Sequence, residues 1–175
     1  YYPNMAKEQK YEVVANFAGF ELRYYDECVL ADVKVRADFE KAGSAGFGTL
    51  VGYIGGQNQP NTKIAMTAPV IQEPTADEHI VSFVMPSEID KHSAPKPTNS
   101  RVSLRFMPQE LVAVDRFTGR WTSASYQERV SKLLIAIAAA GYRAAGNARF
   151  ARFDPPWTPW FIRRNEIHIP VAPLA

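Results

Sequence analysis

The side chains most able to do chemistry in this 175-residue chain are three histidines, one cysteine and a carboxylate near the C-terminus. His79 and His168 fall in stretches with strand patterning and His92 in a proline-rich loop. No pair has metal-ligand spacing and none lies on a predicted helix, so each reads as a structural or surface histidine. Cys28 follows Glu27, lacks an electropositive neighbour and has no second cysteine for a disulfide, which makes it an inert thiol. There is no Gly-x-Ser-x-Gly and no HExxH; Gly55-Gly56 closes a predicted helix where a phosphate loop would open one. Glu166, in Arg163-Arg164-Asn165-Glu166, could act as an acid or base together with a tyrosine. The favoured reading is a structural ion pair or a hydrogen-bond anchor for the aromatic loop before it. No catalytic residue and no metal site is assigned.

What accumulates instead is apolar and aromatic surface of the kind that holds a large flat ligand. Phe47, Leu50, Val51 and Ile54 recur at i, i+3, i+4, i+7, Met66 follows in an uncharged segment, and Trp157, Trp160 and Phe161 sit in a loop stiffened by Pro155, Pro156 and Pro159. Together they could line one cleft. Periodicity alone would assign the helical stripe to the core; only the loop aromatics are hard to explain that way.

The elements that must position these residues follow from period and punctuation. Residues 11–15 and 20–25, split by Ala18-Gly19, form two short strands; 28–35 alternates, with Val29, Ala31, Val33 and Val35 on the core face. A helix is expected over 38–54, capped by Asp38 and stopped by Gly55-Gly56. Its internal glycines, Gly43, Gly46, Gly48 and Gly52, suggest that something approaches the backbone closely, whether a sheet or a ligand. The segment Lys63-Ile64-Ala65-Met66-Thr67-Ala68-Pro69-Val70 enters a strand running to Gln72. Further strands are expected at 79–85, 101–107, 110–117, 148–153 and 164–171, with an exposed loop over 86–100. A second helix runs from Thr122 or Ser123 to Ala140 on a narrow stripe of Val130, Leu133, Leu134 and Ile137. Strand, helix, two strands thus occurs twice, which predicts an α+β architecture of duplicated β-α-β-β halves with a mainly antiparallel sheet and a pair of helices against it.

Composition narrows the function classes. With 46% hydrophobic and 22% charged residues the chain is an ordinary globular protein, expected to form one domain over 11–175 behind a polar tail at 1–10. A net charge of +2 and no basic helical stripe argue against nucleic acid. No apolar run approaches a membrane span and the N-terminal segment does not resemble a signal peptide, so a soluble, cytoplasmic monomer is expected, or an organellar one had a targeting peptide been removed.

Residues 63–70, KIAMTAPV, together with 154–166, DPPWTPWFIRRNE, resemble the SOUL heme-binding protein family. Tyr11-Glu12-Val13-Val14, Phe20-Glu21-Leu22-Arg23-Tyr24 and Tyr53-Ile54-Gly55-Gly56 add to the likeness, which spans residues 11–171. The resemblance implies a distorted antiparallel β-barrel with two flanking helices and pseudo-twofold halves, a fold shared with gyrase-inhibitor-like effector-binding domains. It also implies binding of heme or another tetrapyrrole in a hydrophobic cleft between the first helix and the late aromatic loop, without an obligatory axial ligand. Phe47, Leu50, Val51, Ile54, Lys63, Met66, Trp157, Trp160 and Phe161 are the ligand residues expected on that basis. Animal members of the family carry basic residues for the propionates where this chain has Ser44, Gly52 and Thr158; Lys63, Lys41 or Arg163 could substitute.

The function expected is non-catalytic tetrapyrrole binding for buffering or transport. Alternatives are an effector-binding module for other apolar small molecules or a protein partner, and a small-molecule hydrolase using Glu166.

Overall fold

The computed structural model describes residues 6–120, 122–155 and 157–175. Expectations that fall on residues 1–5 of the tail and on Pro156 lie outside the described residues. The chain runs β1 (Lys7–Glu8), β2 (Glu12–Phe17), β3 (Phe20–Tyr25), β4 (Cys28–Val35), α1 (Phe39–Ile54), β5 (Asn58–Gln59), β6 (Thr67–Ala68), β7 (Val70–Pro74) and β8 (His79–Val84). It continues through β9 (Lys96–Pro97), β10 (Val102–Met107), β11 (Glu110–Thr118), α2 (Ser123–Ala139), β12 (Tyr142–Ala144), β13 (Arg149–Arg152), a single 3-10 turn at Trp160–Ile162, and β14 (Arg164–Pro173).

These elements form two compact units. The first holds Glu27–Pro108 with the segment up to Gln9; the second holds Lys10–Asp26 and Gln109–Ala175. In the first unit the antiparallel order is β10-β4-β8-β7. In the second it is β2-β3-β11-β14-β13, with β12 also on β14. The duplicated β-α-β-β pattern is therefore real: β4, α1, β7, β8 repeat as β11, α2, β13, β14, and in both the last strand lies between the other two. Each repeat also lends a strand away. β3 precedes β4 in the chain yet pairs with β11, whereas β10 precedes β11 yet pairs with β4.

The closed barrel that the family resemblance implies is not formed. β10 ends one run of strands and β2 the other, each paired on one side only. β2 also carries a register shift between Val13 and Ala15, an irregularity of the kind that blunts an exposed edge. The turn from β2 to β3 passes through Gly19 at φ +92°, a left-handed conformation that favours glycine.

The strands of both units use their faces in the same way. Under α1 lie Val29, Ala31, Val33, Val81 and Phe83, packed with Ala42, Leu50, Tyr53 and Ile54 of the helix. The other face of β4, expected to be open, is covered at Leu30 and Asp32 as well. Leu30 packs with Ile71 and Val84 there, and Asp32 accepts from Ser82 Oγ at 2.5 Å and pairs with Arg105 Nε at 2.8 Å. In the second unit Leu22, Ala113 and Ile169 share one register row on the apolar face, where α2 buries Tyr126, Leu133 and Ile137. Leu134, expected in that stripe, is exposed. α2 begins at Thr122, whose hydroxyl accepts from Ser125 N at 3.1 Å; Asp38 occupies the corresponding place before α1 without a side-chain cap bond. The tail expected at 1–10 is tied down from Lys7, since β1 pairs in parallel with β6 inside the KIAMTAPV segment.

Candidate functional site

α1 decides which of the expected ligand residues are accessible. Its buried positions are Phe39, Ala42, Gly43, Gly46, Leu50, Tyr53 and Ile54. Leu50 is 0% exposed and Ile54 is buried in the same cluster, whereas Phe47 and Val51 are each 39% exposed. The expected stripe is thus divided between two faces. Ser44, Phe47, Gly48 and Val51, at i, i+3, i+4, i+7, form an outward stripe of their own. Phe47 is held there by an edge-on contact with Phe83, with ring centroids 5.6 Å apart.

The helical glycines separate into two kinds. A Cβ at Gly46 would come within 3.0 Å of the Val81 Cβ, so close packing of helix on sheet accounts for that glycine. At Gly48 a Cβ would meet nothing within 4 Å. Packing does not account for Gly48, which leaves a bare stretch of helix between Phe47 and Val51. Lys63 and Met66 are exposed in the segment that leads to β6.

The late loop belongs to the second unit. It leaves large apolar side chains exposed close together: Trp157 at 78%, Phe161 and, to a lesser degree, Trp160. The backbone is folded on itself, with Thr158 N donating to Pro155 O at 3.0 Å and Ile162 N to Pro159 O at 3.1 Å. Arg163 Nε donates to Thr158 O at 2.7 Å, and the Arg120 guanidinium stands 4.9 Å from the Trp160 ring centroid. The structure brings Phe47 and Val51 together on α1, and Trp157, Trp160 and Phe161 together on the loop.

Glu166 lies on the sheet face of the second unit opposite α2. It is 2% exposed and receives both terminal nitrogens of Arg23, at 2.9 Å and 2.8 Å. Arg116 Nε adds a bond of 3.1 Å, and His168 Nε2 one of 2.8 Å. Its partners are not the adjacent Arg163 and Arg164 but arginines from β3 and β11. Arg23 also reaches Tyr25 Oη at 2.9 Å and Glu21 at 2.5 Å, and stacks 3.8 Å from the Tyr11 ring centroid. Burial would raise the Glu166 carboxyl, but the hydrogen bonds from His168 and Arg23 and the charge of Arg23 outweigh it and hold it at about 2. Burial lowers His168, with the positive charges of Arg149 and Arg23 adding to it against the pull of Glu166. The imidazole is therefore neutral near pH 7, and its Nε2–H donates to the carboxylate. Burial pushes Tyr25 up in spite of Arg23. A carboxylate this fully bonded and this acidic is poorly suited to exchange protons near neutrality.

Sequence reasoning found Glu166 and missed Arg23, Arg116, Tyr25 and His168 around it. A signal was present in the charged residues Arg23, Arg116 and Glu166, each set within a strand. The register that aligns Arg116 with Glu166 and His168 with Val114 is long-range, and no local pattern reports it. Among the described residues no group of three or more His, Cys, Asp or Glu could hold a metal ion.

Comparison with known proteins matches residues 6–170 to the family described as SOUL heme-binding protein. The chain is 28% identical to Heme-binding protein 2 of Mus musculus over 164 residues, covering 85% of this chain and 80% of that protein. The Homo sapiens Heme-binding protein 2 matches with the same identity and coverage. Among solved structures, the C-terminal domain of EcmrR superposes with a TM-score of 0.64 at 13% identity, covering 93% of this chain and 98% of that one. A hydrolase from Listeria innocua gives 0.59 at 11% identity, covering 91% and 94%. At these identities the likeness is one of fold alone.

Proposed function

Because the chain belongs to the SOUL heme-binding protein family, we propose that it binds heme, or a related tetrapyrrole, by apolar and aromatic contact and without catalysis, as a buffer or carrier. The observation that carries this reading is the outward stripe of α1. Phe47 and Val51 stand on either side of Gly48, where no protein atom would meet a Cβ within 4 Å, so a flat macrocycle can lie against the helix backbone. Exposed Met66 and Lys63, in the same unit, supply further contacts.

The residues present suit heme held without a strong axial ligand. His168 is buried against Glu166, His79 Nδ1 lies 3.3 Å from Gln72 Nε2, and exposed His92 sits in the turn bonded to Asp90. Leu50 and Ile54, expected to touch the ligand, support the site from below instead. The macrocycle brings an apolar face and two carboxylates; the stripe answers the first, and Lys63 or Lys41 the second.

Titration of the purified chain with hemin tests the reading. A saturable Soret shift is expected, with weaker binding of unrelated hydrophobic dyes. Absence of saturation, or equal affinity for dyes and macrocycle, would return the chain to a general effector-binding role.

A further inference from the structure

We propose that the late loop docks the protein onto an anionic phospholipid surface, a role separate from heme binding. Trp157, Trp160, Phe161 and Ile162 are all exposed within six residues, at 78%, 47%, 61% and 53%. No other stretch of the described chain exposes two tryptophans and a phenylalanine so fully. A soluble surface rarely leaves such a patch bare without something to cover it.

Composition and charge indicate the partner. Tryptophan is favoured at the boundary between lipid headgroups and acyl chains, where the ring is buried and the indole N–H stays hydrated. The rim is basic. Arg120 stacks on Trp160, Arg163 is bonded back onto the loop at Thr158, and Arg164 pairs with Asp154 at 3.1 Å, which neutralises the neighbouring acid. Apolar rings at the tip with arginines behind them match a membrane of negative surface charge, in which the rings insert and the guanidinium groups meet phosphates. The loop is also ready-made. Its internal backbone bonds hold Thr158 and Ile162 in place, so little ordering cost opposes docking.

The test uses the full chain without heme, mixed with vesicles of phosphatidylcholine alone or with about 30% phosphatidylserine. The protein is expected to float with the anionic vesicles and not with the neutral ones, with a blue shift of tryptophan emission. Ile162→Asp should weaken partitioning at least tenfold, and Arg120→Gln roughly fivefold, on the order of 1 kcal/mol for one arginine. Both side chains are exposed, so the melting temperature of each variant should match the parent. Because Ile162 is not among the proposed heme contacts, hemin titration of Ile162→Asp should be unchanged, which separates failure of docking from failure of heme binding. The proposal is overturned if the protein stays in solution with both vesicle types. It is equally overturned if Ile162→Asp and Arg120→Gln bind as the parent does, or if the patch mediates self-association in the absence of lipid.

Discussion

The polar face of the second unit and the outer face of α1 are opposites. Around Glu166 the chain gathers two arginines, a histidine and two tyrosines, the side chains most often used for catalysis, and satisfies them against one another. On α1 it gathers Phe47, Gly48 and Val51, which have no acid–base chemistry, and leaves them open. Reactive residue types mark a functional site only when some of their capacity is left unused. Here the spare capacity is apolar, in line with the binding role proposed above. The first unit offers a milder case: Asp32 and Glu73 share Arg105, but that guanidinium is about one-third exposed.

The contrast is broken most directly by removing the buried carboxylate. Glu166→Ala leaves the buried Arg23 with only the more exposed Glu21 as its anion and should cost about 3 kcal/mol in urea unfolding. A loss of less than about 1 kcal/mol would mean that the network is not what holds this face together.

Acid should act in the same direction. Glu166 has a folded-state value near 2, depressed from 4.5, so its contribution is fully present above 4.5 and lost as pH falls toward 2; the difference corresponds to roughly 3 kcal/mol. His168 is lowered as well, so the unfolded chain takes up a proton below about 6.5 that the folded chain refuses, and stability declines from there. Melting temperature should fall steadily from pH 7 to pH 3, and Glu166→Gln should flatten the lower part of that fall. A profile that is flat, or that rises with acid, would contradict the ionised carboxylate.

Arg105→Met sharpens the comparison between units. Its guanidinium is screened by solvent, so the expected loss is about 1 kcal/mol, well below that for Glu166. Equal losses would mean that burial is not what separates the two clusters.

How much of this was legible in sequence depends on the range of the interactions. The strand at 28–35 and the helices ending at Gly55 and Gly141 are written in local period and punctuation, and they form where expected. The duplicated order is legible too, because it only repeats those local patterns. Strand exchange between the repeats is not, since nothing near β3 reports that it pairs with β11 rather than β4. The same holds for the open edges at β2 and β10. On α1 the spacing of Phe47, Leu50, Val51 and Ile54 identifies an apolar helix but not its rotation. Small residues at Ala42, Gly43 and Gly46 bring the neighbouring face onto the sheet and turn Phe47 and Val51 outward. Glycine at 43, 46 and 48 looks alike in sequence; only the contact with Val81 shows that Gly46 serves packing and Gly48 does not.

The smallest change in stability therefore gives the sharpest reading. Gly48→Leu replaces a glycine on an exposed helical face, where nothing in the fold occupies the added volume, and should stabilise the chain by up to about 1 kcal/mol. If a macrocycle lies against that stretch, the same substitution should weaken hemin binding at least tenfold in a Soret titration. Higher stability with lost affinity is the result expected. Higher stability with hemin affinity unchanged would contradict binding on the outer face of α1.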